Sequence, residues 1–247
     1  MLSGLSGFAG AQFDFREPSP LRKSYLLAAP YRSGSNYLCS LLWKTGVLGA
    51  PFGYLNFENE MRILYTRLGA SSIADYVGKL IEKRTSSNGV FGLKAHFHHF
   101  ANIHKQSPEM LHLLEPVHFI YLERRDKIAQ AVSLAKGFQT RAWLSVGEER
   151  KTPLFYSREF IQACLDEVAE QENQWKTWLK EREIPALRID YEDILQDEAQ
   201  VVKKVQEFLG VVGDRADDVR LPSLRKQSDG VNSEWITRFK QECEVES

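Results

Sequence analysis

The chain has 247 residues, of which 43% are hydrophobic and 26% are charged, and its formal net charge is −1. That length suits one domain with its own core, and the near-neutral charge argues against a protein that binds nucleic acid through bulk electrostatics. No apolar run approaches the roughly 18 residues that span a bilayer, so we expect no membrane span.

The N-terminal segment and the cysteines bear on domain organisation and location. Residues 1–20 contain Gly, Ser and Pro and lack the basic and apolar regions of a secretion signal, so we predict a flexible N-terminal arm there. Residues 21–247 are then expected to form a single domain. Three widely separated cysteines favour a reducing, cytoplasmic location and argue against a dense zinc cluster; they are Cys39, Cys164 and Cys243.

Four short apolar runs have the length and composition of buried strands. They are Tyr25–Ala29, Val90–His96, Val117–Leu122 and Pro185–Ile189. Segments with apolar residues at helical spacing, several with capping residues at their ends, lie between and after these runs. The predicted helices are Tyr37–Thr45, Glu58–Leu68, Ser72–Arg84, Ala101–Leu114, Lys127–Lys136, Ser157–Arg182, Glu198–Leu209 and Ser233–Glu242.

The alternation of these elements predicts the fold class. Strands that alternate with helices indicate an α/β protein with a mostly parallel central sheet flanked by helices in three layers. Residues 137–153 are predicted to be a loop with short helical pieces, and residues 224–230 a polar loop before the last helix.

The first strand, a small-residue turn and the first helix form a potential anion site. The turn reads Tyr31-Arg32-Ser33-Gly34-Ser35-Asn36. Such a turn aims backbone N–H groups and the positive end of a helix at an anion, and Arg32 adds a fixed charge. The hydroxyl groups of Ser33 and Ser35 are expected to add hydrogen-bond donors. The alternative is an ordinary turn between a strand and a helix, without a ligand.

The turn differs from the Walker A loop of nucleoside triphosphatases. A Walker A loop ends in Gly-Lys-Ser/Thr, in which the lysine holds the outer phosphates and the hydroxyl holds magnesium. Here Gly34 is followed by Ser35, and the cationic residue Arg32 precedes the glycine. A loop without the lysine and magnesium suits a transferred group with less charge than a phosphoryl group, such as a sulfuryl group.

Three ordered motifs resemble those of one enzyme family over nearly the whole chain. They are Arg32-Ser33-Gly34-Ser35 with Thr45-Gly46-Val47; Arg124 and Gln130-Ala131-Val132-Ser133 with Gln139-Thr140 and Trp143; and Ser233-Glu234-Trp235. Together they resemble sulfotransferases that use 3′-phosphoadenosine 5′-phosphosulfate (PAPS), above all the bacterial trehalose 2-sulfotransferase family. The resemblance implies a P-loop-like fold with PAPS as donor and 3′-phosphoadenosine 5′-phosphate as product.

The resemblance also implies which residues bind the donor. The first motif would hold the 5′-phosphosulfate, with Arg32 on the leaving oxygen; its members are Arg32, Ser33, Gly34, Ser35 and Asn36. Arg124 and Ser133 would clasp the 3′-phosphate, although spacing alone leaves Arg125 as an alternative to Arg124. Tyr191 resembles the tyrosine beside the adenine in cytosolic sulfotransferases, or is a core tyrosine in a turn. Lys226 and Gln227 resemble the late basic loop over the nucleotide, or are solvated.

The general base departs from the family pattern. In the trehalose enzymes, the segment after the first helix resembles the pattern Gly-x-Pro-x-Glu, and its glutamate is the presumed base. This chain has Gly53 at the position of that glutamate. His96, in a Lys-x-His pattern similar to that of cytosolic sulfotransferases, is the first replacement, and Glu58 is the second. His96 is alternatively a hydrogen-bonded histidine at a strand end. The chemistry needs no metal, and the spacing of His96, His98 and His99 does not favour a metal site.

The sequence therefore predicts an enzyme that moves a sulfuryl group from PAPS to a hydroxyl of a carbohydrate, glycolipid or other small metabolite, by in-line attack with a general base. A small-molecule kinase with an atypical phosphate loop is one alternative, although we can place neither its lysine nor its magnesium carboxylate. A nucleotide-binding domain without turnover is another, because the family glutamate is missing. A homodimer is compatible with the sequence.

Overall fold

A computed structural model of the chain describes residues 7–17, 19–57, 60–140, 153–213 and 230–244. Its centre is a parallel sheet in the order β2-β1-β3-β4. The strands are β1 Lys23–Ala28, β2 Val90–Ala95, β3 Val117–Glu123 and β4 Ala186–Asp190. In β1, residues 24–28 are all buried, as the continuous apolar run predicts for a central parallel strand. The predicted α/β class with a parallel sheet is confirmed.

Helices flank the sheet. They are α1 Ser35–Lys44, α2 Glu60–Arg67, α3 Ile73–Arg84, α4 Phe97–Gln106, α5 Met110–Leu113, α6 Lys127–Thr140, α7 Arg158–Glu181, α8 Tyr191–Gln196, α9 Glu198–Leu209 and α10 Gly230–Glu244. The hydroxyl of Ser157 accepts a hydrogen bond from the backbone N–H of Phe160, which confirms it as the cap of α7. Gly210, at φ 59°, ends α9 in the left-handed conformation that glycine adopts readily.

Three helix predictions need correction. Helix α4 begins at Phe97, directly after β2, and not at Ala101, and a separate short helix α5 follows it. Helix α6 continues through Thr140 and so includes residues assigned to a loop. The segment from Tyr191 is the short helix α8, which the sequence interpretation treats as a turn. The rest of the loop 137–153, up to residue 152, and most of the loop 224–230 lie outside the described residues.

The N-terminal residues 7–17 pack against the rest of the chain, which corrects the expectation of a flexible arm for this part. Two short 3-10 helices bury Phe8 and Phe13, whose rings lie 3.9 Å and 4.8 Å from the ring of Phe52. Asp14 forms an ion pair with the fully buried Arg84 at 3.0 Å. Aromatic burial and a charge pair therefore hold this segment.

Buried side chains form two clusters. The larger surrounds the sheet and contains the N-terminal aromatic residues as well as Trp175 and Trp178 of α7. The smaller lies among α6, α7 and α10 and contains Trp235 and Phe239. In the described ranges, no helix is long and apolar enough to cross a membrane.

Candidate active site

The carboxyl ends of the four strands bring the predicted site residues to one edge of the sheet. The turn with Arg32 follows β1, His96 follows β2, Arg124 follows β3, and Tyr191 follows β4. In an open parallel sheet, ligands bind beyond this edge, because loops from several strands converge there. The topology therefore collects residues that are far apart in the sequence.

The turn after β1 has the backbone of a tight anion-binding loop. Arg32 and Gly34 have positive φ angles of 57° and 86°, and α1 starts at Ser35. A Cβ atom at Gly34 would lie 2.2 Å from Cδ2 of Tyr191, so the glycine serves both the backbone angle and the close approach of the ring. The N-terminus of α1 thus faces the ring of Tyr191, with favourable electrostatics for an anion.

The two serines of the turn differ in the hydrogen bonds that their hydroxyl groups form. Ser33 is buried, and its hydroxyl donates a 2.9 Å hydrogen bond to the carbonyl of Pro30. The hydroxyl of Ser33 has one proton, and that proton is used in the bond to Pro30. In this conformation Ser33 therefore does not donate the expected hydrogen bond to a ligand. Ser35 is buried at the start of α1, and Asn36 is half-buried one residue further on.

The guanidinium of Arg32 reaches across to α6. Its Nε donates to Oγ of Ser133 at 2.9 Å. Burial, followed by the positive charge of Arg124, lowers the pKa of Arg32 to about 10, and Tyr191 opposes this change. Two arginines thus lie within electrostatic range of one another in a partly buried place, an arrangement that an anionic ligand would stabilise.

Arg124 and Arg125 have different surroundings. The guanidinium carbon of Arg124 lies 5.0 Å from the centroid of the Tyr191 ring, and its Nε is buried without a hydrogen-bond partner in the part of the chain that the structure describes. The side chain of Arg125 is 58% exposed and forms ion pairs of 3.1 Å to 3.6 Å with carboxylates of Asp190, Glu192 and Asp193. The geometry favours Arg124 over Arg125 as the residue that binds a ligand, because the acidic residues already neutralise the charge of Arg125.

Two glutamines that sequence reasoning did not assign a role hold the turn in place. Nε2 of Gln130, a buried residue of α6, donates to the carbonyl of Tyr31 at 2.6 Å. The backbone N–H of Tyr31 donates to Oε1 of Gln171, a buried residue of α7, at 3.2 Å. Gln130 belongs to a motif named in the sequence analysis, but the sequence does not identify the partner of either glutamine.

His96 is oriented by the backbone directly after β1. Its Nδ1 lies 2.8 Å from the carbonyl oxygen of Ala29, which can only accept, so Nδ1 carries the proton and Nε2 keeps a lone pair. Nζ of Lys94 lies 3.4 Å from that Nε2. Burial and then the charge of Lys94 hold the pKa of His96 well below its ordinary value, so the imidazole is neutral at neutral pH.

The other two histidines follow on the first turn of α4. Nε2 of His98 lies 2.9 Å from the hydroxyl of Tyr31. Burial, assisted by His98 and Lys94, lowers the pKa of His99 to about 3. The described residues contain no group of three or more histidine, cysteine or acidic side chains that would suit a metal ion.

Three predicted site residues lie outside the described residues, namely Glu58, Lys226 and Gln227. Gly53 is described, and a Cβ atom there would lie 3.1 Å from Nζ of Lys94. The structure therefore places Arg32, Ser133, Arg124 and Tyr191 in one group and His96 with Lys94 in a neighbouring group.

Comparisons with known proteins agree with this architecture. The sequence model of the family described as Stf0 sulphotransferase matches residues 24–242. The trehalose 2-sulfotransferase of Mycolicibacterium smegmatis is 26% identical over 261 residues, covering 90% of this chain and 96% of that protein. The trehalose 2-sulfotransferase of Mycobacterium tuberculosis is 25% identical over 259 residues, with the same coverage of 90% and 96%.

A solved structure, the sulfotransferase domain from the curacin biosynthetic pathway, superposes with a TM-score of 0.50 at 15% identity, covering 80% of this chain and 77% of that domain. This similarity concerns the fold alone and supports the P-loop-like class. The family match covers most of the chain, including the turn after β1 and helix α6. The chain belongs to the Stf0 sulphotransferase family and is a sulfotransferase.

Proposed function

We propose that this sulfotransferase transfers a sulfuryl group from PAPS to a hydroxyl group of a carbohydrate, glycolipid or other small metabolite. The observation that carries the proposal is the group formed by Arg32, Arg124, Ser133 and Tyr191 at the N-terminus of α1. Trehalose is the first acceptor to test, because two relatives that align over most of this chain are named trehalose 2-sulfotransferases.

The donor site needs positive charge in two places, and the chain supplies it. The N-terminus of α1 and Arg32 suit the 5′-phosphosulfate, since a helix N-terminus and a guanidinium both bind anions. Arg124, whose Nε is buried without a partner among the described residues, suits the 3′-phosphate together with the hydroxyl of Ser133. The Tyr191 ring, packed against Gly34, offers a flat surface for the adenine.

The transfer step needs a group that accepts the proton of the acceptor hydroxyl. As the hydroxyl oxygen forms its bond to sulfur, the bridging S–O bond breaks, and its electron pair stays on 3′-phosphoadenosine 5′-phosphate. Nε2 of His96 is our proposed proton acceptor, because the hydrogen bond to Ala29 leaves that nitrogen unprotonated. Arg32 would stabilise the charge that develops on the leaving oxygen. Glu58 stays the second candidate for the base.

Transfer of sulfur-35 from labelled PAPS to trehalose, and to a pool of small metabolites, tests the proposal. We expect a labelled hydroxyl sulfate ester from the natural protein and much less product from Arg124→Ala, with Arg125→Ala as the matched control. Tight binding of 3′-phosphoadenosine 5′-phosphate without product from any acceptor would favour a nucleotide-binding domain without turnover. A magnesium-dependent transfer from ATP would favour the kinase. Homodimer formation and a cytoplasmic location stay predictions.

A further inference from the structure

The ammonium group of Lys94 is enclosed at the carboxyl end of β2 without a carboxylate beside it. The residue is 8% exposed. Its Nζ lies 3.4 Å from Nε2 of His96, and in the described ranges no carboxylate lies within the 4.0 Å of an ion pair. A buried charge without a paired partner is costly, so a lysine in this place needs a reason.

The side chain of Lys94 packs against Gly53, where a larger residue would contact it closely. An ideal Cβ atom at Gly53 would lie 3.1 Å from Nζ and 3.3 Å from Cε of Lys94, closer than nine in ten real contacts of a Cβ atom. Gly53 is not among the glycines with positive φ, so its backbone does not require glycine. The absence of a side chain therefore serves the packing of Lys94.

Two acidic groups interact electrostatically with Lys94, and they differ in charge. Burial raises the pKa of the Cys39 thiol to about 12, so this group is neutral at neutral pH. Glu60 is the first residue of α2, is half-buried, and accepts a 3.2 Å hydrogen bond from Nδ2 of Asn56. Burial raises the pKa of Glu60, and Lys94 opposes that change. Of these two groups, Glu60 is the one that can stabilise the ammonium.

The imidazole of His96 has neighbours from three elements. They are Lys94 of β2, His98 and His99 of α4, and the carbonyl of Ala29 and ring of Tyr31 from the segment after β1. The carbonyl favours the protonated ring, whereas the two histidines disfavour it. Lys94 is the neighbour whose amine faces the Nε2 lone pair. Burial lowers the pKa of Lys94, and Cys39 and Glu60 oppose that change.

We propose that Lys94 and Glu60 are positioning residues for proton transfer at His96. Glu60 opposes the effect of burial, which favours loss of the Lys94 proton. The Lys94 ammonium donates to Nε2, so that this lone pair stays unprotonated until an acceptor hydroxyl replaces Lys94 as the donor. The proton of that hydroxyl then moves to Nε2 while its oxygen bonds to sulfur and the bridging S–O bond breaks. The inference rests on the proposed function, in which His96 is the base.

Titration of labelled side chains in the full chain tests the arrangement without turnover. Carbon-13 at the ring Cε1 of histidine and at the carboxyl of glutamate is followed by NMR against pH, with signals assigned by their loss in His96→Gln and Glu60→Gln. In Lys94→Met we expect the midpoints of both His96 and Glu60 to move to higher pH, because a positive charge near each is removed. Lys94→Gln removes the same charge but keeps a polar side chain. Lys105→Met, on the exposed surface of α4, is the matched control.

The outcomes separate this inference from the proposed function. An unchanged His96 midpoint in Lys94→Met and Lys94→Gln would overturn it. A shift of His96 alone would remove Glu60 from the arrangement. If both midpoints move but no sulfuryl group is transferred from PAPS, the coupling stands and the proposed function fails. If transfer occurs, its acidic limb should move to higher pH with His96 in Lys94→Met.

Discussion

Nε of Arg32 donates a 2.9 Å hydrogen bond to Oγ of Ser133, and this bond joins two residues that are 101 positions apart. It links the turn after β1 to helix α6, the two parts of the chain that the proposed donor would bridge. A ligand oxygen placed between them would meet a cation and a hydroxyl at once.

The first prediction concerns the nucleotide. Because Arg32 and Arg124 follow two different strands, 3′-phosphoadenosine 5′-phosphate should stabilise the fold far more than AMP, which lacks the 3′-phosphate. A ligand that binds only the folded state at 100 times its Kd adds about 2.7 kcal/mol to the free energy of unfolding. Thermal unfolding at matched nucleotide concentrations measures the difference. Equal shifts for the two nucleotides would remove the 3′-phosphate site.

The second prediction compares two neighbouring arginines. Arg124→Ala should weaken binding of 3′-phosphoadenosine 5′-phosphate by roughly 1.5–3 kcal/mol, because it removes a charged hydrogen-bond donor. Arg125→Ala should change binding little, since three carboxylates already pair with that side chain. Isothermal titration calorimetry on both variants checks the contrast. A larger loss in Arg125→Ala would transfer the role to Arg125.

The third prediction concerns the proton acceptor. His96→Gln should lower turnover by about 10²-fold or more, with nucleotide binding retained, because the base is lost and the donor site is not. Burial and Lys94 lower the pKa of His96, so the acidic limb of the natural enzyme should lie below about pH 6.5. That limb should disappear in His96→Gln. If the limb persists and Glu58→Gln abolishes turnover, Glu58 is the base.

The fourth prediction links His99 to stability in acid. Its pKa is lowered to about 3 by burial, whereas a histidine in the unfolded chain titrates near about 6.5. Between these two pH values, His99 is protonated in the unfolded state but not in the folded state. The free energy of unfolding therefore falls as the pH falls from about 6.5 towards 3. His99→Gln should flatten this slope and leave the slope above pH 7 unchanged. Urea denaturation at a series of pH values measures it, and an undiminished slope contradicts the assignment.

The fifth prediction concerns the N-terminal segment. Asp14→Ala leaves the fully buried Arg84 without its anion, so the free energy of unfolding should fall by an amount near the lower end of about 3–5 kcal/mol, given a carboxylate that is 19% exposed. Arg67, which also pairs with Asp14 but is 29% exposed, provides the control. Arg67→Ala should cost about 1 kcal/mol or less. Similar losses in both variants, measured by chemical denaturation, would show that Arg84 does not depend on Asp14.

The sequence by itself determined the elements whose signals are local. Apolar runs of strand length identify β1 and β3, and the apolar spacing of α3 and α9 identifies those helices, because side-chain periodicity is a property of a short segment. The cap at Ser157 and the stop at Gly210 are local as well. The prediction that the turn between β1 and α1 binds an anion also uses a local signal, because its residues are consecutive.

Only the tertiary structure decided between residues with equal local signals. Arg124 and Arg125 are adjacent, and the ion pairs of Arg125 with Asp190, Glu192 and Asp193 give the two side chains different surroundings. The environment of His96 depends on Lys94 and on the carbonyl of Ala29, which directly follows the neighbouring strand β1. The N-terminal arm has a Gly/Ser composition that suggests mobility, yet Phe8 and Phe13 find a buried surface on distant residues. Burial, pairing and proton affinity depend on contacts between segments far apart in the chain, and those contacts exist only once the sheet has assembled.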